Sequence, residues 1–113
     1  MSKLHELFSN PAIESFGKAL QIAIRKNDDY TSLIELDYAE KEEDFVIALK
    51  KFLRRLDSGA RRYERETGKP AYKPDEKDLD EVVKLSQEYG VRIVCAALMS
   101  HALVKSQRGE QQE

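Results

Sequence analysis

Between residues 54 and 69 the chain reads RRLDSGARRYERETGK, with the doublets Arg54-Arg55 and Arg61-Arg62 and then Arg65 within one stretch. A guanidinium donates in a planar fork that matches phosphate oxygens, so a row of them holds a polyanion rather than making or breaking bonds. Charge along the chain is segregated to match. Residues 1–49 hold 5 Lys or Arg against 10 Asp or Glu, residues 50–69 hold 8 against 3, and residues 70–113 hold 6 against 8. A formal net charge of -2 therefore conceals one basic segment in an otherwise acidic chain.

Winding this segment as a helix at about 100° per residue separates two faces. Phe45, Leu49, Phe52, Leu56, Ala60 and Tyr63 fall within an arc of roughly 80°. Lys50, Arg54, Arg61 and Arg65 cluster opposite, Lys51, Arg55 and Arg62 flank them, and only Asp57 interrupts the basic side. Lys69 and Lys73 follow in the adjoining loop. Such a ladder can track a nucleic-acid backbone without reading bases. Tyr72, and less readily the core-facing Tyr63, would offer stacking faces to unpaired bases. The ladder also suits a second use, pairing with the acidic part of the same fold or with an acidic neighbouring protein.

Magnitudes favour a supporting role in a larger assembly. If about six groups met the phosphates of a single strand, log affinity would fall with log salt at a slope of about -4, with nonspecific affinity in the micromolar to hundred-micromolar range. An acidic remainder weakens that further.

Catalytic chemistry finds no constellation. Ser100 and His101 are sequence neighbours and so point about 100° apart on a helix, which is no nucleophile and base pair. His5 stands alone near the N-terminus. Cys95 and Met99 share a helical face as core residues, and one Cys with two scattered His has no zinc spacing. The acidic runs EKEED and DEKDLDE complement helix N-terminal dipoles. No glycine-rich phosphate loop is present, so no enzyme, metal or cofactor is expected.

The elements that must position these residues are helices. Asn10-Pro11 starts one, with Ile13, Phe16, Leu20, Ala23 and Ile24 on its buried face. Asn27-Asp28-Asp29 stops it and can cap the next element. YTSLIELDY, residues 30–38, reads as a short helix or a buried strand. The basic helix runs from EKEEDF to about Thr67, and Gly59 permits a bend or break. Residues 68–74, GKPAYKP, form a loop and the one convincing linker. Pro74 and the acids after it open a further helix that carries Leu79, Val82, Val83, Ser86 and Tyr89 inward and ends at Gly90. VRIVCAALMSHALVKSQ is a last helix, apolar nearly all round and hence central or covered by a partner, and RGEQQE frays. Its Val-Arg-Ile-Val opening also fits a strand, but the length favours helix. The expected fold is all-α, one domain over residues 1–113 with four or five helices, the last packed against the two long amphipathic ones.

At 113 residues a single core needs no metal or disulfide. Hydrophobic residues at 41% and charged residues at 35% describe a globular rather than a disordered chain, and the surplus of Lys and Glu hints at heat adaptation. A lone cysteine makes no internal disulfide, which points to a reducing cytoplasm. Neither a signal core nor an apolar run of about 20 residues is seen, so neither export nor a membrane span is expected.

Taken together, the basic helix with its loop, RRLDSGARRYERETGKPAYKP, and the apolar GVRIVCAALMSHALV resemble the small alpha-helical subunit of CRISPR effector complexes of the Cascade type. That resemblance implies a non-enzymatic subunit, stacked in copies along the complex beside its larger subunits, that helps hold DNA after guide pairing. The family role would fall on Lys50, Lys51, Arg54, Arg55, Arg61, Arg62 and Arg65, with Lys69 and Lys73 from the loop. Acidic surfaces elsewhere would meet a basic neighbour.

Overall fold

The structure, a computed structural model, describes residues 3–27 and 30–112, with side chains described for residues 4–25 and 30–103. Asp28 and Asp29, expected with Asn27 to stop the first long helix and cap the short element after it, lie outside the described residues. Six helices follow in order: α1 (Lys3–Phe8), α2 (Pro11–Asn27), α3 (Tyr30–Tyr38), α4 (Glu42–Thr67), α5 (Glu76–Tyr89) and α6 (Val91–Gln112). No strand occurs among the described residues, so residues 30–38 and the start of α6 are helical. The all-α class stands, with six helices in place of the expected four or five.

The additional helix is α1. Six residues are too few for a periodic signal, and a helix that short holds only by tertiary packing. Leu7 is buried, and the Phe8 ring stacks on His101 with centroids 3.9 Å apart. Asn10 then caps α2 as its type predicts, its Oδ1 accepting from Ala12 N at 2.9 Å and Ile13 N at 3.3 Å. The α6 backbone continues to Gln112, past the point where the tail was expected to fray.

α6 is the central element. Its buried Val94, Ala97, Leu98 and Ala102 share one core cluster with Ile13, Phe16 and Leu20 of α2, the helix it packs on most, with α1, α3 and α5 also around α6. This explains an apolar pattern without a polar face. The α2 contact is close: a Cβ at Gly17 would lie 2.2 Å from the His101 Cβ, so only glycine permits the approach.

α4 is built differently. Glu42, Glu43 and Asp44 occupy its first turn, where carboxylates favour the helix dipole. Phe45, Ala48, Leu49, Phe52 and Ala60 are buried, while Leu56 and Tyr63 are half-buried. It passes unbroken through Gly59 and ends at Gly68, whose φ of 72° suits glycine and whose N–H donates to Glu64 O. Its 26 residues make about 39 Å of helix, which nearly equals the 41 Å long axis of the molecule. Asp75 starts α5 through a reciprocal capping box with Asp78.

Candidate nucleic-acid interface

The apolar arc of α4 faces the core and so turns its cations outward. Lys50, Lys51, Arg54, Arg62, Arg65 and Lys69 are exposed, and among the described residues none of these six side chains has an ion-pair partner. Helical spacing predicted the outward placement of the five on α4, Lys50, Lys51, Arg54, Arg62 and Arg65.

Three other cations are claimed by the protein's own carboxylates. Arg55 reaches across to α3, donating to Ser32 Oγ at 2.8 Å and lying 3.5 Å from Glu35 Oε1. Arg61 stands 3.6 Å from Asp57, one turn back, and Lys73 of the loop donates to the other oxygen of the same carboxylate. The hydrogen bond and charge of Lys73, with a smaller pull from Arg61, hold the Asp57 carboxyl below its ordinary value. Asp57 is therefore ionised at neutral pH and cancels charge within the basic face. The expected ladder, interrupted at Asp57, divides into an unpaired set and a partly neutralised patch where the loop returns over α4.

Tyr72 is exposed but anchored. Its hydroxyl donates to Ser15 O of α2 at 3.2 Å, and the Lys18 ammonium sits 4.4 Å from its ring centroid. These contacts fasten the loop to α2 and occupy one ring face. Tyr63 packs on the half-buried side of α4, and its carbonyl accepts from Thr67 Oγ1 at 2.7 Å.

An open groove of about 390 Å³ runs between α4 and the start of α5, lined by Leu53, Arg54, Asp57, Lys73, Asp75 and Glu76. Its mixed charges do not favour an anion, and the Asp75 and Asp78 side chains already satisfy backbone amides at the α5 N-terminus.

The chemically versatile residues elsewhere serve the core. His101 Nε2 lies 2.5 Å from the carbonyl oxygen of Phe8, tying α6 to α1. Cys95 Sγ donates to Leu36 O at 3.1 Å, and burial, offset in part by Arg92, pushes its thiol up to about 11. Among the described residues no group of three or more His, Cys, Asp or Glu could hold a metal ion, and no helix is long and apolar enough to cross a membrane.

Sequence reading missed a feature of α3. Tyr30, Ile34 and Tyr38, spaced at i, i+4 and i+8, stand exposed along one side of that helix. The spacing was visible in YTSLIELDY, but its use depended on knowing that the segment is helical and which side is buried.

No protein-family model matches the chain, and no solved structure matches it. An uncharacterized protein of Archaeoglobus fulgidus is 46% identical over 109 residues, which cover 96% of this chain and 89% of that relative.

Proposed function

We propose, for a chain that belongs to the same family as the uncharacterized Archaeoglobus fulgidus protein, that it binds a nucleic-acid backbone without sequence preference. It acts as a non-enzymatic small subunit of an RNA-guided CRISPR effector complex. Guide pairing supplies the sequence information in such a complex, while protein cations hold the target strand or the displaced strand. The observation that carries this proposal is the exposed row Lys50, Lys51, Arg54, Arg62 and Arg65, which no described carboxylate neutralises. Core packing explains the apolar arc of α4 but asks nothing of its opposite side.

Ionic pairing reduces the number of available cations below the nine of the full ladder. Five phosphate contacts on a single strand give a salt slope of about -3.5, so binding by the isolated subunit is weak and steeply salt-dependent. Placement beside larger subunits raises the effective concentration of the strand and offsets that weakness.

The test is charge reversal. Lys51, Arg54, Arg62 and Arg65 changed together to Glu should abolish retention of labelled oligonucleotides at low salt, with the helical circular-dichroism spectrum unchanged. If retention persists, the basic face serves a different partner. Co-purification of the tagged wild type with an acidic protein, lost in the same variant, would establish the adaptor alternative.

A further inference from the structure

Single exposed apolar residues are ordinary on a protein surface, but a row of them asks for a partner. Tyr30, Ile34 and Tyr38 form such a row on α3, at 51%, 51% and 78% exposure. Their position is fixed by the Arg55 contacts, which join α4 to Ser32 and Glu35. At about 100° per residue, passing outward from buried Ser32 and Leu36 beyond Glu35 leads to Tyr38, Ile34 and Tyr30. The same step on α4, outward beyond Arg55, leads to Lys51 and then Arg54. Both rows therefore flank one bridge on its solvent side.

Steps of four residues set the row members about 6 Å apart and the two tyrosines about 12 Å apart along the axis. The nearby α3 carboxylates are engaged, Glu35 by Arg55 and Asp37 by Arg92 at 3.8 Å. Arg92 also donates to the Asp37 carbonyl, so that acid is held at the end of α3. The α3 carboxylates are thus engaged and Lys51 and Arg54 are not, while the exposed acids Glu40, Glu43 and Asp44 lie only at the Tyr38 end, where α3 leads into α4. Ring faces beside cations are the combination by which proteins hold single strands, because unpaired bases expose their π-faces and duplex bases do not.

We infer that this α3 row is a base-stacking platform for single-stranded nucleic acid whose phosphates lie along Lys51 and Arg54. The inference rests on the proposed function and narrows it: the ligand is a single strand, and its bases meet α3 while its backbone meets α4. The exposed, unpaired Lys51 and Arg54 on the α4 side of the bridge favour a polyanion with open ring faces as this occupant. The stacking residues are Tyr30 and Tyr38, with Ile34 between them as apolar support.

Fluorescence anisotropy with the full chain tests this, using a labelled oligothymidine and a mixed-sequence duplex of equal length. Replacing Tyr30 and Tyr38 together by Ala should weaken single-strand binding at least about thirtyfold, the scale of two stacked bases. Duplex affinity and the salt slope should stay as in wild type, and the Tyr30→Phe/Tyr38→Phe variant should bind normally. Unchanged single-strand affinity in the Ala variant, or equal losses on both probes, would overturn stacking while leaving the backbone proposal standing. Wild-type protein that binds neither probe at low salt would overturn both. Sedimentation showing a wild-type dimer that the Ala variant loses, without a change in oligonucleotide binding, would instead assign the row to contact between copies.

Discussion

α6 and α4 are the two longest helices, and they put apolar residues to opposite uses. α6 buries Val91, Val94, Cys95, Ala97, Leu98, His101 and Ala102 against helices on several sides and leaves Arg92, Ala96 and Leu103 exposed along one narrow side, so most of its apolar composition follows from its central place. α4 buries one arc and gives the rest to solvent, so its exposed side is under no packing constraint. A residue type on α6 is accounted for by its neighbours, whereas a cation on α4 needs an explanation from outside the chain. Arg55, Arg61 and Lys73 are the exceptions, because carboxylates of the chain itself account for them.

Two glycines test that contrast most directly. Gly17 of α2 faces α6, where an added Cβ would come within 2.2 Å of the His101 Cβ. That atom sits next to the α6 backbone and cannot swing aside as a side-chain tip would. Gly17→Ala should therefore destabilise the fold by about 3 kcal/mol, at the upper end of ordinary overpacking costs. Urea denaturation should show a lower midpoint with an unchanged slope. A loss below about 0.5 kcal/mol, the range of neutral surface changes, would mean that α2 and α6 separate more easily than their close approach implies.

Gly59, on α4, should respond with the opposite sign. An added Cβ there meets nothing within 4 Å, and the residue is helical and exposed. Gly59→Ala should stabilise the protein by about 0.5–1 kcal/mol, through helix propensity and a smaller unfolded-state entropy. Oligonucleotide binding should be retained because the cations keep their places. Destabilisation would show that α4 needs freedom at its middle, the bend that its sequence permitted but its backbone does not take.

Legibility in the sequence followed the distance over which each feature is determined. The start of α2, the buried arc of α4 and the inward residues of α5 rest on caps and spacings within one helix, and these were readable. The outward set Lys50, Lys51, Arg54, Arg62 and Arg65 was readable for the same reason. α1 was not, because it is held by stacking of Phe8 on a histidine 93 positions away. The anchoring of Tyr72 was not legible either, because its partner, the Ser15 carbonyl, is 57 positions distant. Arg55 looked equivalent to its neighbours until α3 folded beside it. Spacing reveals which way a side chain points, while only tertiary contact decides whether its charge is already spent.

Asp57 carries the smallest expected effect and separates the two kinds of cation most finely. Its carboxylate holds Arg61 and Lys73, and those contacts lower its proton affinity in the folded state. A depressed folded pKa contributes stability that is present above the unfolded value near 3.8 and is lost as pH falls through the folded value. Asp57→Asn should therefore be slightly less stable than wild type at neutral pH, and the two proteins should converge as the solution is acidified below that value. Binding should move the other way. Removing the carboxylate releases Arg61 and Lys73, and each released cation that reaches a phosphate adds about 0.7 to the magnitude of the single-strand salt slope. Anisotropy titrations at several salt concentrations should show tighter low-salt binding and a steeper slope in the variant. If affinity is unchanged while stability falls, Arg61 and Lys73 serve only to fasten the loop to α4, and the nucleic-acid surface is confined to Lys50, Lys51, Arg54, Arg62 and Arg65.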